Sequence, residues 1–511
     1  MQDEVQERRR FVVMMAAFAA VKIAFHLLAA GLGPYGYFRD EFYYLDCAAN
    51  LSWGYVDQPP FSLAVLQLFR TLLGESVWAI RLPAILAEAA TLVLAGVIAR
   101  EMGGRRFAQF LACASLLVAP VFLTMSSFFS MNALDHLFWA LAAWLLVRII
   151  NTGDGRLWLW FGVVAGLGLQ NKYSIGFFGG LMAAALLLTP ERRFYRDWRL
   201  WAGGGIAFIL FLPHLVWQQW HGWPTLEFMH DTNAYKNVPL TPGKYLTGQL
   251  LFMGPLAAPV WIGGVVCALF FSTRRYRIFA FIYLGMLAVF YVSNGKSYYL
   301  APIYPVLLAL GGVCWEHLTE RRRWIGWILA GLVLASGAAL APHAMPLLPP
   351  ERLIAYQGAM GLKAPQQEVA HSGVLPQHIG DRLGWLEYAA MVAKAFHALP
   401  AEDQTRCALL VSNYGEAGAL NLSQQDLGLP RRAISGYMNY YLWGPGDWDG
   451  QVALVYWPER ELLDELFDSV TEVDRFSDPY VMARQNDRPL YLCRGLKVPV
   501  DEAWPRFKRY Y

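Results

Sequence analysis

Residues 11–32 read FVVMMAAFAAVKIAFHLLAAGL, and this run decides the class of the protein. It is long enough to cross a bilayer, because a transmembrane helix needs about 20 predominantly apolar residues. No small-residue cleavage site with a polar stretch behind it follows, so we expect the run to remain as a span. Of the 511 residues, 56% are hydrophobic and 16% are charged, against about 25% charged in soluble proteins. The sequence therefore predicts an integral membrane protein.

Further apolar runs, separated by charged residues, continue along the first two thirds of the chain. Together they predict about eleven spans. Two of them are short for a helix that crosses a bilayer, and we expect these two to form a tilted pair meeting at residues 170–173. The predicted spans lie near residues 11–33, 78–99, 107–124, 133–150, 157–170, 174–189, 200–217, 246–271, 278–293, 302–315 and 325–341. The predicted fold class is an α-helical polytopic membrane protein.

Basic residues are distributed unequally between the two sides of this predicted bundle. One set of loops is rich in arginine, and the positive-inside rule places that set in the cytoplasm. With an odd number of spans, we expect the N-terminus in the cytoplasm and the residues beyond about 342 outside it. The net charge of +3 gives no indication of a nucleic-acid partner. The opposite loops carry only scattered cations, namely Arg39, Arg70, Arg81, Lys172, Lys236, Lys244 and Lys296.

Two segments outside the spans have a character of their own. The first outer loop, at about 34–76, is long and semi-apolar, and residues 42–45 and 61–73 are typical of helices that lie in the membrane interface. Residues 342–511 carry many charges and globular patterning. We predict a transmembrane domain over 1–341, including loop 34–76, and a soluble α/β domain over 342–511. In that domain, strands are predicted at 407–412, 451–457 and 489–493 and helices at 387–399 and 459–467.

The six cysteines are interpreted by their places in this scheme. Cys113, Cys267 and Cys314 lie in apolar spans, where we expect inert packing residues. Cys407 and Cys493 lie in predicted strands of the outer domain, where a disulfide is permitted. Whether those two strands are adjacent is left open. Neither Cys-x-x-Cys nor His-x-x-x-His occurs, so a structural zinc site has no support.

Polar residues that interrupt the spans gather on the outer side of the predicted topology. Ionisable residues at membrane depth persist mainly where they pair, line a wet cavity or perform chemistry. Singly, each has a structural alternative, such as snorkelling for Arg81, helix capping for Asp135-His136 and interfacial anchoring for Lys296. Together they predict one outer cavity that contains carboxylates and cations. The set comprises Arg39-Asp40-Glu41, Asp57-Gln58, Arg81, Asn132, Asp135-His136, Asn171-Lys172-Tyr173 and residues 294–299.

A synthetic reaction outside the cytoplasm needs a donor that arrives activated, because no ATP or nucleotide sugar is available there. A polyprenyl-phosphate sugar meets this need, since its lipid tail lies in the bilayer and its phosphate is a leaving group. Transfer then requires a carboxylate that takes the proton of the acceptor, a role for Asp40 or Glu41, and cations that hold the phosphate. The candidates for phosphate binding are Arg81, Lys172, Lys296 and Tyr298, and those for substrate binding are Asp57, Gln58, Asp135, His136, Tyr173 and Tyr299.

This scheme requires no cofactor. Asp40, Glu41, Asp57 and Asp135 could hold a divalent metal ion, but their spacing in sequence does not establish that they meet. The cations could instead neutralise the phosphate without a metal. Metal dependence is therefore left open.

Five motifs occur in the order Asp40-Glu41-x-Tyr43-Tyr44, Gly54-Tyr55-x-Asp57-x-Pro59-Pro60, Arg81-Leu82-Pro83, Asn171-Lys172-Tyr173 and residues 296–305. In this order they resemble bacterial glycosyltransferase family 39. That family is the dolichyl-phosphate-mannose protein mannosyltransferase-like group, which is related to the aminoarabinose transferases of lipid A. The resemblance extends over about residues 8–310.

The resemblance implies the C-type membrane glycosyltransferase fold, with an active site that faces outward from the bacterial inner membrane. It also implies that the acidic residue at the start of the first loop, here Asp40 with Glu41 beside it, is the catalytic base. The implied partners are a polyprenyl-phosphate sugar and an envelope glycan, lipid or protein that accepts the sugar. One position departs from the aminoarabinose transferases, because Gln58 stands where they carry a lysine before the paired prolines. This change removes one expected phosphate contact.

The leading hypothesis is an inverting glycosyltransferase that uses a lipid-linked donor. A transporter or flippase is the main alternative, although it should place its polar residues near the bilayer midplane. A third possibility is an assembly or sensor protein whose function resides in residues 342–511. In that segment, residues 412–418 and 443–446 are glycine-rich and either bind an acceptor or form tight structural loops.

Overall fold

The computed structural model describes residues 2–236, 238–362 and 373–511. They form two compact units, which we call the helical unit and the sheet unit. The chain leaves the helical unit after Pro34 and returns to it at Gln58, so the first predicted outer loop contributes to both. The helical unit comprises the residues up to Pro34, Gln58–Gln219 and Pro239–Leu348, and the sheet unit comprises Tyr35–Asp57, Trp220–Val238 and Pro349–Tyr511.

The helical unit is built from the long apolar runs of the sequence. In an apolar environment a helix satisfies its backbone hydrogen bonds internally, which favours helices for such runs. Its α-helices are Gln2–Leu32, Phe61–Leu73, Val77–Glu101, Arg106–Val118, Pro120–Met125, Met131–Thr152, Leu157–Leu169, Ser174–Leu187, Trp198–Trp220, Pro242–Met253, Ala258–Phe270, Arg277–Val292, Tyr304–Leu318 and Arg323–Ala344. Shorter 3₁₀ segments are Pro190–Arg196, Pro255–Ala257, Arg274–Tyr276 and Ser297–Ile303.

The predicted class, an α-helical multi-pass membrane protein, is confirmed. Within the described ranges, seven helices are long and apolar enough to cross a membrane, or up to nine if each of two bent helix pairs counts as one span. The other predicted spans are helical but broken or short. Helices stop before Pro120, Pro190 and Pro255, because proline cannot donate the backbone hydrogen bond that continues a helix. At the last two prolines the chain bends by 110° and 91°.

Two cysteines of the helical unit correct the sequence-based prediction. Cys267 and Cys314 form a disulfide instead of acting as inert packing residues. The reason is close packing of their helices at Gly264 and Gly311, three residues before each cysteine. A Cβ at either glycine would overlap the backbone of the opposite helix, so only glycine permits this approach. Cys113 is buried and free, as predicted.

The sheet unit contains a five-stranded mixed sheet, so the predicted α/β character of the C-terminal part is confirmed. The strand order is β2-β1-β3-β5-β4, with β1 parallel to β2 and β3 and with β5 antiparallel to β3 and β4. Two tryptophans, Trp448 and Trp457, pack in the core on this sheet. The strands are β1 Ala408–Val411, β2 Ile434–Ser435, β3 Val452–Tyr456, β4 Phe467–Phe476 and β5 Arg488–Leu496.

The order of the strands explains why Cys407 and Cys493 do not pair. Cys407 directly precedes β1 and Cys493 lies in β5, while β3 runs between these two strands. Strands two places apart are separated by about 9–10 Å, which is too far for a disulfide. Both thiols are buried and free. The bridge that the sequence permitted is therefore not formed.

Helices complete the sheet unit, and one of them comes from the first predicted outer loop. Arg39–Ala49 buries nine of its eleven residues, among them Phe42, whose ring lies 5.5 Å from that of Trp385. Residues 42–45, for which an interfacial helix is predicted, are helical and buried within the sheet unit. The other helices are Pro224–Asp231, Pro350–Met360, Gln377–Gly380, Trp385–His397, Ala401–Arg406, Tyr414–Leu422, Asn439–Trp443, Arg460–Leu466, Val500–Ala503 and the 3₁₀ segment Trp504–Phe507, with a π-helical turn at Thr232–Lys236.

Candidate functional site

The predicted site residues are divided between the two units. The sheet unit contains Asp40, Glu41 and Asp57, and the chain enters the helical unit at the next residue, Gln58. We describe each group within its own unit. The helical unit contains Gln58, Arg81, Asp135, His136, Lys172, Tyr173, Lys296, Tyr298 and Tyr299.

Asp40 lies in the first turn of Arg39–Ala49, which we call the carboxylate helix. Tyr414 donates a hydrogen bond of 2.8 Å to Oδ1 of Asp40, and Nε of Arg39 lies 3.2 Å from the same oxygen. The Asp40 side chain is 27% exposed. Within the described part of the chain, Oδ2 has no donor. Asp40 is thus a fixed carboxylate with one oxygen available.

Glu41, the neighbouring candidate, has different surroundings. Its side chain is fully buried, and Oε2 accepts a 2.7 Å hydrogen bond from the backbone N–H of Phe38. This N–H belongs to the residue that precedes the helix, where backbone donors lack partners in the helix itself. Consecutive helical residues point about 100° apart, so Asp40 and Glu41 do not face the same way. Glu41 therefore supports the helix start, whereas Asp40 is partly exposed.

The partner of Asp40 lies on Tyr414–Leu422, which we call the tyrosine helix. Asn413 caps this helix by accepting hydrogen bonds from the N–H groups of Gly415 and Glu416. A Cβ at Gly415 would meet the side chain of Arg39, and one at Gly418 would lie 2.7 Å from Cβ of Phe42. The glycines of the 412–418 motif therefore allow the tyrosine helix to pack closely against the carboxylate helix.

A second carboxylate, that of Asp46, connects the C-terminal parts of these two helices. Asn421 donates a 2.6 Å hydrogen bond to Asp46, which also accepts hydrogen bonds from Tyr440 and Arg432. Burial raises the pKa of Asp46, and Arg432 opposes that rise. Because Tyr414 meets Asp40 at the helix starts and Asn421 meets Asp46 near the helix ends, the two helices run side by side in the same direction.

Asp57 is joined to the same group of residues through Tyr43. The Tyr43 hydroxyl donates a 2.8 Å hydrogen bond to Oδ1 of Asp57, and its ring lies 5.0 Å from the ring of Tyr414. Burial raises the pKa of both tyrosines well above the ordinary value, so both hydroxyls remain protonated donors. Two adjacent tyrosines therefore orient two carboxylates. The sequence motifs contained Tyr43, and the 412–418 segment contained Tyr414, but nothing in the sequence linked Tyr414 to Asp40.

In the helical unit, Lys172 is the centre of a group that we call the lysine cluster: Asn132, Asp135, Lys172 and Tyr299. Lys172 Nζ donates a 2.7 Å hydrogen bond to Asn132 Oδ1 and lies 3.8 Å from Asp135 Oδ2. It also lies 5.3 Å from the centre of the Tyr299 ring. Ser174 donates a 2.5 Å hydrogen bond to the other Asp135 oxygen. Three of the predicted polar motifs thus meet here.

His136 does not join the lysine cluster, although it follows Asp135 in sequence. Its Nδ1 lies 2.6 Å from Oε1 of Glu88, and both residues are buried. Lys22 is also buried and donates a 2.9 Å hydrogen bond to the carbonyl of Phe122. Glu88 is not among the predicted site residues; it lies in the apolar helix Val77–Glu101. A glutamate inside a predicted span was the available signal, because such a charge needs a partner.

Other predicted residues of the helical unit lie in separate surroundings. Tyr173 is hydrogen-bonded to Nε2 of His214, with the two atoms 2.6 Å apart. Gln58 is buried, and neither of its amide atoms has a hydrogen-bond partner within the described ranges. Arg81 is buried and lines a small cavity that also contains His26. A buried polar group that lacks a partner is costly, so Gln58 remains a candidate for substrate contact.

Lys296 and Tyr298 lie around the start of Ser297–Ile303. Lys296 is the residue directly before this segment, and it is half-buried. The ring of Tyr298 lies 4.9 Å from that of Tyr299, which belongs to the lysine cluster. Among the described residues, no three His, Cys, Asp or Glu side chains are grouped so that they could hold a metal ion.

The family comparison agrees with the motifs. Residues 57–217 match the model of the family described as dolichyl-phosphate-mannose-protein mannosyltransferase. The predicted family resemblance is confirmed. The matching segment contains Asp57, Gln58 and Lys172, whereas Asp40 lies before it.

Two curated relatives come from Rhizobium johnstonii. The lipopolysaccharide core galacturonosyltransferase RgtA is 26% identical over 40% of this chain and 41% of its own length. The lipid A galacturonosyltransferase RgtD is 28% identical over 43% of this chain and 47% of its own length. The chain thus matches less than half the length of these relatives.

Among solved structures, ArnT from Cupriavidus metallidurans in the apo state is similar over most of its length. It is 16% identical, covers 95% of this chain and 98% of its own, and has a TM-score of 0.62. The same protein bound to undecaprenyl phosphate gives a TM-score of 0.59 at 15% identity, over 94% of this chain and 97% of its own. These similarities confirm the predicted C-type fold.

Proposed function

We propose that this chain is a membrane glycosyltransferase that moves a sugar from a polyprenyl-phosphate-linked donor to an acceptor hydroxyl. The observation that carries the proposal is the state of Asp40. Tyr414 and Arg39 hold one of its oxygens, the side chain is partly exposed, and the second oxygen is available. A general base needs a carboxylate held in one orientation with an oxygen open to the proton it removes. Asp40 meets that requirement.

The proposed reaction is a single displacement. The acceptor oxygen attacks C1 of the donor sugar from the face opposite the phosphate, and its proton passes to Oδ2 of Asp40. The bond between C1 and the phosphate oxygen breaks, and its electron pair leaves with the polyprenyl phosphate. The configuration at C1 is inverted. No oxidant, reductant or nucleotide takes part.

Cations of the helical unit are the proposed phosphate ligands. Negative charge builds on the phosphate as the bond to C1 breaks, and a nearby ammonium group stabilises that charge. Lys172 is suited to this role because it is partly exposed, with a side chain 19% accessible, and because Asn132 and Asp135 fix its position. We assign supporting roles in donor binding to Arg81, Lys296, Tyr298 and Tyr299.

The relatives support the choice of donor and of an envelope acceptor. ArnT has been solved with undecaprenyl phosphate, and RgtA and RgtD are named for galacturonosyl transfer to the lipopolysaccharide core and to lipid A. We propose that a hexosyl or pentosyl group is moved to an envelope glycan, lipid or protein. In this proposal the protein lies in the bacterial inner membrane, with its N-terminus cytoplasmic and the sheet unit periplasmic.

A lipid-sugar flippase is the alternative that the polar residues alone permit. A flippase moves its substrate across the membrane and breaks no bond, so it needs no general base. The orientation of Asp40 by two separate donors favours the transferase.

The test is a transfer assay on the purified full chain in lipid nanodiscs. Radiolabelled polyprenyl-phosphate sugars, including a galacturonosyl and an aminoarabinosyl donor, are mixed with envelope lipid and glycan extract. Asp40→Asn is compared with Asp464→Asn, a matched change at an exposed carboxylate. We expect labelled product from the wild type and from Asp464→Asn, and a loss of about 10²–10⁴-fold for Asp40→Asn.

Two results would contradict the proposal. Asp40→Asn could retain wild-type transfer while keeping the wild-type melting temperature, which would remove Asp40 from catalysis. Alternatively, the wild type could move intact lipid-linked sugar between the leaflets of vesicles without forming any product. That second result would identify a flippase.

A further inference from the structure

The sheet unit contains a cavity of about 350 Å³ that the proposed reaction does not use. Small-molecule sites typically span about 300–1,000 Å³, so its size is sufficient for a ligand. We call it the arginine cavity, because Arg431 and Arg432 line one part of it. Other lining residues are Asn50, Asn421, Tyr440 and Trp443, with residues 444–448.

One buried carboxylate organises the wall of the arginine cavity. Asp46, which is 7% exposed, accepts hydrogen bonds from Asn421, Arg432 and Tyr440, and all three line the cavity. The backbone N–H of Ala433 also donates a 2.8 Å hydrogen bond to Asn421. Side chains held in this way lose little freedom when a ligand binds, which favours affinity. The wall is therefore built before any ligand arrives.

The donors and the aromatic ring in this wall define the chemistry of a ligand. Only one terminal nitrogen of Arg432 has an acceptor within the described ranges, so its remaining N–H groups are available. Guanidinium N–H groups match the paired oxygens of a carboxylate or phosphate. Trp443 is 37% exposed, and its ring packs edge-on to Tyr440 at 4.9 Å. Its free face can cover the C–H face of a sugar ring.

The loop after Trp443 also has open space beside it. Gly444 and Gly446 have φ values of 82° and 62°, which strain any residue with a Cβ, yet no atom lies within 4 Å of where a Cβ would be. The backbone conformation thus requires glycine at both positions, although the space beside the loop could hold a side chain. The sequence left open whether residues 443–446 bind an acceptor or form a tight turn, and the positive φ values establish the tight turn.

The carboxylate helix connects this cavity to the proposed base. Asp46 lies six residues after Asp40 on that helix, a distance of about 9 Å along its axis. Asn50, which follows the helix, lines the cavity itself. Six helical residues also rotate the side-chain direction by about 240°, so Asp40 and Asp46 lie on different faces of the helix. An acceptor that meets both must be longer than one sugar residue.

We propose that the arginine cavity binds a sugar of the acceptor that carries a carboxylate or phosphate group. The role of the sugar as part of an acceptor rests on the proposed function, whereas binding of the sugar can be measured without transfer. The acceptor sugar whose hydroxyl reacts would be held near Asp40. A neighbouring sugar with an anionic group would be held by Arg432 and Trp443. The cavity would then determine which acceptor glycans are used.

The test measures binding of monosaccharides to the full chain in nanodiscs by saturation-transfer NMR. The probes are galacturonate and glucose 6-phosphate, with glucose and inorganic phosphate as controls. We expect saturable binding of the two anionic sugars and at least tenfold weaker binding of glucose and phosphate. Trp443→Ala and Arg432→Lys should each weaken anionic-sugar binding at least tenfold, because the first removes the ring and the second removes the guanidinium fork. Arg432→Lys keeps a cation beside Asp46, which protects the fold.

Two matched variants serve as controls. Trp443→Phe keeps an aromatic face and should bind nearly as well as the wild type. Arg460→Lys changes an exposed arginine of the same unit that pairs with Asp464, and it should bind as the wild type does. Each variant is accepted only if its melting temperature stays near that of the wild type.

Three outcomes would overturn the inference: equal binding by the wild type and Trp443→Ala, equal binding of glucose and galacturonate, or displacement of galacturonate by a polyprenyl-phosphate sugar. The last would assign the cavity to the donor. Failure of the proposed function looks different, since anionic sugars would still bind while the wild type formed no transfer product. Asp40→Asn should lose transfer and keep sugar binding.

Discussion

The Tyr414 hydroxyl donates a 2.8 Å hydrogen bond to Asp40, a residue 374 positions earlier in the chain. The contact joins the starts of two parallel helices, and Gly415 allows those helices to approach each other. Arg39 adds a second donor to the same carboxylate oxygen. The proposed base is therefore oriented by the C-terminal part of the protein.

Tyr414→Phe should reduce transfer without unfolding the sheet unit. The change removes one hydroxyl and leaves the ring packed against Tyr43, so we expect a roughly 10-fold loss of kcat, equivalent to about 1.4 kcal/mol. The steady-state rate with a fixed donor is the measurement. Tyr437→Phe, at a neighbouring ring that lies 5.3 Å from Tyr414, is the control and should change kcat by less than about twofold. An unchanged kcat for Tyr414→Phe would show that the hydrogen bond to Asp40 is unnecessary.

Lys172→Met should weaken transfer through the donor phosphate. Methionine keeps the length of the side chain but removes its charge, and we expect kcat/KM to fall by about 10²–10³-fold. Lys244→Met, which changes an exposed lysine of the helical unit, should have no such effect. The measurement is the initial transfer rate of each variant at increasing donor concentrations, which gives kcat/KM for the donor. Equal losses in the two variants would indicate a general effect of charge and would count against a specific phosphate contact.

Glu416 should make the stability of the sheet unit depend on pH. Burial raises the pKa of Glu416 from its ordinary value of 4.5 to about 7, while Arg488 and hydrogen bonds from Ser412 oppose the rise. The folded state therefore favours the protonated acid. Its stabilising contribution, on the order of 3 kcal/mol, is complete below pH 4.5 and is lost as the pH rises to about 7.

Thermal unfolding of the wild type and of Glu416→Gln between pH 4 and pH 8 checks this expectation. The melting temperature of the wild type should fall more steeply with pH than that of the glutamine variant, which cannot ionise. Glu402→Gln, at an exposed position of the same unit, should follow the wild type. Parallel curves for Glu416→Gln and the wild type would contradict the raised pKa.

Alkylation counts the free thiols. The protein unfolded without reductant should take up four alkyl groups, at Cys47, Cys113, Cys407 and Cys493. After reduction all six cysteines should react. Peptide mass spectrometry would identify Cys267 and Cys314 as the two that require reduction. A disulfide-linked peptide pair containing Cys407 and Cys493 would contradict the strand order, in which β3 separates these two residues.

Hydropathy predicts the helical class because each apolar run satisfies its own backbone hydrogen bonds. It does not predict where such a run breaks, and Pro120, Pro190 and Pro255 divide helices that composition alone treats as continuous. Proline is tolerated elsewhere, at Pro83 inside Val77–Glu101, so its presence is an ambiguous signal. The number of straight spans therefore depends on tertiary packing.

The candidate site was predictable only where its residues share a motif. Asp40 and Asp57 follow local patterns, and their roles as base and substrate contact stay predictions. Tyr414 and Arg432 are ordinary residues of a distant segment, and periodicity does not reveal which of them will meet the carboxylate helix. Glu88 was visible as a charge in an apolar run, but its pairing with His136 required the structure. The free energy of burying such a charged side chain depends on its hydrogen-bond and ion-pair partners, which only the fold brings together.

The position of the carboxylate helix has a consequence for how the protein is made. Asp40, in its first turn, is added to the chain 374 residues before Tyr414. At about 5–20 residues per second, the helix waits roughly 20–75 s for its partner. A chain truncated before Tyr414 would contain all five family motifs and yet lack the residue that orients Asp40. Until Tyr414 is added, Asp40 has only the Arg39 contact among those of the described chain, so full activity requires a chain translated beyond residue 414.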